Sequence, residues 1–100
     1  MKPSQEAILD TVLGAVTDMT KDWGVNADPV AATRLNADLG FSSIDMIDLL
    51  ATLEVKFQHK LPYESFLMVD GGYRSDIVIS ELAAFIYEKY DTPRPDPTAV

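Results

Sequence analysis

Three stretches of this chain repeat apolar residues at three- and four-residue spacing, and glycines and prolines stand between them. That period belongs to helices with one buried face, whereas strands would need alternation. Residues 4–22 read as a first helix, with Ile8, Leu9, Val12, Leu13, Val16 and Met19 on one side. Pro3 and Ser4 suit its start, and Gly14 weakens it without ending it. Trp23 and Gly24 close it, with Trp23 expected to pack beneath the following loop. Residues 43–57 read as the second helix. The last runs from Ile77 to Tyr90, capped by Ser75 or Asp76, with Ile79, Leu82, Ala83, Ile86 and Tyr90 on one face. Between these two, Leu61 to Val69 is a short apolar segment with Pro62 placed as a first helical residue. Asp70-Gly71-Gly72 must break any helix there.

The expected fold is therefore all-α: helix, long loop, helix, short third helix, helix, in a bundle with one crossing loop. The loop covers residues 24–41 and contains Asp28-Pro29, and Leu35 and Leu39 are expected to pin it to the bundle. Loops of that length without structure of their own are uncommon unless functional. One hundred residues, 47% of them apolar, fit a single small domain over residues 1–90. Residues 91–100 carry Pro93, Pro95 and Pro97 with few apolar groups and are expected to be a disordered tail.

Several classes of function are unfavourable for such a chain. No run of eighteen apolar residues is present, so no membrane insertion is expected. The stretch Met1 to Glu6 lacks the apolar core of a signal peptide, which makes the cytoplasm the default location. Without cysteine there is no disulfide, thiolate metal site or thiol nucleophile. A net charge of −8 has the wrong sign for nucleic acid, where affinity comes from releasing counterions. Acidity suits partners with basic patches, though solubility alone would also account for it.

The chemistry concentrates where the long loop meets the second helix. Gly40 ends the loop, Ser42 stands where an N-cap should be, and Asp45 follows three residues later. Together they make a short version of the capping box, in which a hydroxyl and a carboxylate satisfy free N–H groups of the first turn. Ser43 then takes the first helical position, where the helix dipole and the orphan amides favour an attached phosphate ester. Simple capping would explain the serine pair equally well. Along the helix, at about 100° per residue, Met46, Leu49, Leu50, Leu53 and Phe57 share one arc, an ordinary core face. Ile44, Ile47 and Ala51 form a second stripe on the opposite side, flanked by Asp48 and Glu54. An apolar centre with a charged rim suits a docking surface. The alternative is that the stripe meets the third helix or the long loop.

The run Asp38-Leu39-Gly40-Phe41-Ser42-Ser43-Ile44 resembles the prosthetic-group motif of acyl carrier proteins and related peptidyl carriers. That family's Asp-Leu-Gly-x-Asp-Ser-Leu pattern carries 4′-phosphopantetheine on its serine. Here Ser42 replaces the aspartate, keeping the cap but losing a charge, and Ile44 replaces the leucine. The similarity continues through Asp45, Asp48-Leu49, Leu53-Glu54, Phe57 and Leu61-Pro62, and returns in Glu81-Leu82 and Ile86. It implies a four-helix carrier bundle with a covalent 4′-phosphopantetheine arm on Ser43. It also implies a docking face of Ile44, Ile47, Asp48, Ala51 and Glu54. The implied function is to carry acyl intermediates as thioesters in a fatty-acid, polyketide or specialised lipid pathway. An aminoacyl or peptidyl carrier, or a helical adaptor without the arm, are the alternatives. The implied partners are a phosphopantetheinyl transferase (a holo-acyl-carrier-protein synthase) and acyl-transferring enzymes with basic docking patches, met by a monomer.

Two departures from the family stand out. Between Pro62 and Glu81 the chain is several residues longer than the compact fatty-acid carriers, the excess lying at Phe66, Leu67, Met68, Val69 and Tyr73. This insert flanks the side that shelters the acyl chain in the family and is expected to reshape that pocket or a partner surface, or else to be neutral. Val55 and Lys56 stand where fatty-acid members usually carry more acid, which implies a dedicated partner set. No enzyme is expected. There is no Gly-rich phosphate loop and no His-Glu-x-x-His. His59 is expected to be exposed without a catalytic role. Asp70-Gly71-Gly72-Tyr73-Arg74 is no calcium loop, because Gly72 and Arg74 stand where oxygen ligands are needed.

Overall fold

Ser4 opens the first helix with its side chain, the Oγ accepting the Ala7 N–H at 3.1 Å. Helix α1 then covers Gln5–Asp22 and buries Ile8, Val12, Ala15, Val16 and Thr20. The structure, a computed structural model, describes residues 3–58, 60, 62–69 and 71–90. His59, Leu61, Asp70 and the tail 91–100 lie outside the described residues. Thr20 is polar yet buried, and its hydroxyl is satisfied by the carbonyls of Val16 and Thr17. Trp23 caps α1 and packs against the loop through Phe41, but only partly beneath it. It remains exposed and lays its ring edge against the buried Phe41, with centroids 4.9 Å apart.

The loop over 24–41 is not without structure. It contains a short helix, α2, over Leu35–Leu39, ended by Gly40 in the left-handed conformation at φ 76°. The Gly40 N–H donates to Asn36 O there, a stop that favours glycine because other residues resist positive φ. Leu35 is fully buried and Leu39 packs partly against the core, so both pin the segment as expected. The second long helix, α3, covers Ser43–Phe57 and buries Met46, Leu49, Leu50 and Leu53, with Phe57 half-buried at its end.

Past α3 the chain forms α4 over Tyr63–Leu67, which buries Tyr63 and Phe66. Pro62 is its N-cap and not its first turn, since its ψ of 62° is not helical. A two-stranded hairpin follows, β1 (Met68–Val69) and β2 (Gly72–Tyr73), with Met68 opposite Tyr73 and Val69 opposite Gly72. The breaker expected here acts through Gly71 at φ 82°, and the chain reverses as a hairpin. Arg74 ties this excursion down. Its guanidinium lies over the Phe66 ring at 4.2 Å, its Nε donates to Phe66 O, and its Nη1 is 3.9 Å from Glu81.

The last helix, α5, covers Ile79–Lys89 and buries Ile79, Leu82, Ala83 and Ile86. Neither Ser75 nor Asp76 caps it. Its N-cap is Val78 in extended conformation, paired as an isolated antiparallel bridge with Arg34. The Asp76 carboxylate is occupied elsewhere, on α2, and the pairing of Val78 with Arg34 and of Ile77 O with the Leu35 N–H holds this stretch extended, so α5 starts two residues later than its apolar period suggests. Helix α1 packs against α5 and α3 around one core. The molecule is mostly helical, compatible with the all-α class, and its strands are only two residues long. Among the described residues no helix is long and apolar enough to cross a membrane.

Candidate functional site

The start of α3 is built from its own sequence. Ser42 is the N-cap, and its Oγ accepts the Asp45 N–H at 3.2 Å while donating to Asp45 Oδ2 at 2.9 Å. The same Oδ2 accepts the Ser42 N–H at 2.9 Å, which completes a reciprocal capping box. Both partners are thereby committed. Ser43 is the first residue of the helix and is exposed, and its hydroxyl takes part in none of the side-chain hydrogen bonds among the described residues. A helix start leaves its first N–H groups without intrahelical acceptors, and the box uses those of Ser42 and Asp45. Those of Ser43 and Ile44 remain for water or an anion, at the positive end of a fifteen-residue helix.

The approach to this point is held from behind. Phe41 is fully buried, its N–H donates to Leu35 O, and its carbonyl accepts from Asn36 Nδ2 at 2.8 Å. The residue before the cap therefore has no freedom to swing, and the serine pair is presented from a fixed turn. Asp38 closes back on Arg34, accepting its N–H at 2.8 Å and pairing with its guanidinium at 3.3 Å. The Arg34 backbone bond, followed by its side chain, holds the Asp38 carboxyl below the usual carboxylate range.

The outward face of α3 carries the second stripe. Ile44 is 72% exposed, Ile47 45%, and Ala51 is exposed as well, so neither α4 nor the long loop covers them. Val55, 77% exposed, prolongs the line at the same three- and four-residue spacing to the end of the helix. Its spacing from Ala51 was the signal available for it in the sequence. Asp48 is exposed beside the stripe, as expected of a rim residue. Glu54 differs: it is half-buried and close enough to Tyr63 for its charge to help raise that hydroxyl's pKa. Its charge is thus shared between the rim and α4.

These groups lie together on one surface at the start and outer face of α3. A free hydroxyl at a helix start, amides suited to an anion, and an apolar stripe leading away from them together fit an attachment point with a landing surface beside it. Among the described residues no cluster of His, Asp or Glu could hold a metal ion. Asp76, expected from the sequence as a cap of the last helix, sends its carboxylate across the fold to α2 instead, a role hidden in the sequence because its partners lie some 40 positions away. Comparisons of the chain with protein-family models, with curated proteins and with solved structures found no match.

Proposed function

We propose that this chain is an acyl carrier protein, with an acyl-carrier-like helical bundle and a 4′-phosphopantetheine arm attached to Ser43. The observation that carries the reading is the exposed, uncommitted Ser43 hydroxyl at the first position of α3, inside the run Asp38 to Ile44 that resembles the carrier motif. The residues fit such a group. The capping box fixes the helix start without using Ser43, and the remaining first-turn amides suit the phosphate of a phosphodiester. When attached, the arm supplies a thiol that holds an acyl group as a thioester. Attachment would join Ser43 Oγ to the phosphorus nearest the pantetheine of coenzyme A, break that phosphorus's pyrophosphate bond, and release adenosine 3′,5′-bisphosphate. The hydroxyl proton would pass to a base of the transferase.

The chain's own part is presentation. Tethering turns each encounter with an acyl-transferring enzyme into an event at high effective concentration. The stripe of Ile44, Ile47, Ala51 and Val55 offers an apolar centre, and Asp48 and Glu54 offer charge complementary to a basic patch. The reading includes a monomer working in the cytoplasm on an acyl cargo. Intact mass after incubation with a phosphopantetheinyl transferase and coenzyme A tests it. A gain equal to one phosphopantetheine, mapped by peptide mass to Ser43 and absent in Ser43→Ala, is expected. No gain under conditions that load a control carrier would leave the helical adaptor, and an arm found on Ser42 would overturn the assignment.

A further inference from the structure

Asp76 precedes α5 and makes no hydrogen bond to Ser43 or its neighbours, yet hydrogen bonds link it through Asn36 to Phe41, two residues before Ser43. Its Oδ1 accepts the Asn36 N–H at 2.7 Å and its Oδ2 the Ala37 N–H at 3.0 Å. These are first-turn amides of α2, whose own N-cap, Arg34, makes no side-chain cap. A five-residue helix does not hold together alone, so its missing cap has to come from outside. Asn36 passes the constraint on. Its carbonyl accepts from Gly40 N–H at 2.9 Å and its Nδ2 donates to Phe41 O at 2.8 Å. Phe41 is the residue before the Ser42 cap. Asp76 is itself fixed: Oδ1 also accepts the Ile77 N–H at 2.8 Å, and Ile77 O accepts from Leu35 N–H at 2.9 Å.

We propose that Asp76 positions Ser43 for modification, by capping α2 from across the fold and so holding the Gly40–Phe41 turn and the start of α3 in one geometry. This rests on the carrier reading, because it names what orients that reading's serine. Asp76 acts only through α2 and is a positioning residue. Its ionisation suits the role. Partial burial pushes the carboxyl up, but the N–H groups of Asn36, Ala37 and Ile77 outweigh it and hold the group below the usual carboxylate range. Of the charges nearby, Arg34 favours the ionised form, and Asp38 is already paired with Arg34.

The test uses the full chain and the variants Asp76→Ala, Asp76→Asn and Asn36→Ala, with Ile86→Val as a buried control farther along α5. Asn36→Ala breaks the link at its other end, removing the bond to Phe41 while keeping the backbone N–H for Asp76. In Asp76→Ala the Asn36 and Ala37 amide protons should exchange about tenfold faster, and the Ser42, Ser43 and Asp45 amide resonances should move. With coenzyme A and a transferase, kcat for loading should fall about tenfold at nearly constant KM, as for a displaced nucleophile and not a lost docking contact. Asp76→Asn should fall between, Asn36→Ala should reproduce the kcat loss, and Ile86→Val should leave kcat unchanged. Wild-type chain that loads normally, with Asp76→Ala and Asn36→Ala loading at the same kcat, would overturn the positioning role alone. Wild-type chain that takes no arm while a control carrier does would overturn the carrier reading and the positioning role together.

Discussion

Ser42 and Ser43 are adjacent and chemically alike, and the helix start gives them different duties. Ser42 is bonded three ways to Asp45, so Ser42→Ala should cost about 1 kcal/mol of stability and leave loading at Ser43 intact. Ser43→Ala should abolish loading at almost no cost in stability. Paired thermal melts and mass spectra check both, and a Ser42→Ala protein as stable as wild type would contradict the box. Tyr63 is the opposite case, a hydroxyl buried with no partner among the described residues. Burial, helped by the Glu54 charge, pushes its pKa well above the ordinary 10.0. The sign follows from linkage: the unfolded chain ionises near 10.0 and the folded one does not, so this contribution is whole below that pH and is lost above it. Tyr63→Phe should therefore be within about 1 kcal/mol of wild type at neutral pH, because an unsatisfied hydroxyl is removed. Above about pH 10 it should be the more stable of the two. Parallel alkaline melting curves for both proteins would refute this.

At the scale of elements, α3 has two apolar faces and only one is used by the fold. Rim charge acts mainly on encounter and the apolar centre on residence. Asp48→Lys should slow association with a carrier-processing enzyme at low salt and flatten its salt dependence. Ile47→Asp should instead raise the dissociation rate. Stopped-flow kinetics separate the two, and unchanged association in Asp48→Lys would place docking elsewhere. Glu54→Lys is the less clean probe, since its carboxylate also bears on Tyr63. The β1–β2 hairpin is the other element without a stated duty. It contributes the exposed Met68 and Tyr73 and is held at its exit by Arg74. Joining Leu67 to Arg74 by a short turn should keep the helical circular dichroism spectrum and change which acyl lengths the loaded protein shields from hydrolysis. Equal shielding of every length in both proteins would assign the hairpin no part in cargo selection.

For the molecule as a whole, what was legible in the sequence was local. The periods of α1 and α3, the Ser4 and Ser42 caps and the glycine stop at Gly24 need only neighbouring residues, and they stand as the spacing implies. The buried and exposed faces of α3 were readable for the same reason. What escaped depends on residues far apart in the chain. Helix α2 exists with a cap supplied by Asp76, and the pairing of Val78 with Arg34 sets the start of α5 at Ile79. The hairpin escaped because Met68 and Tyr73 give no alternating pattern long enough to mark a strand. The pairing of Arg34 with Val78, and the bonds of Ile79 N–H to Thr33 O and Ser80 N–H to Ala31 O beside it, also join residues far apart in the chain. Helices α1, α3 and α5 are made of near neighbours and form quickly, whereas this junction must close a loop holding α3, α4 and the hairpin. Interactions completed after the rate-limiting step show up in unfolding, not in folding. Breaking the junction should therefore speed escape from the native state while leaving the refolding rate nearly untouched, and a chevron whose folding arm slowed instead would show that the junction closes early.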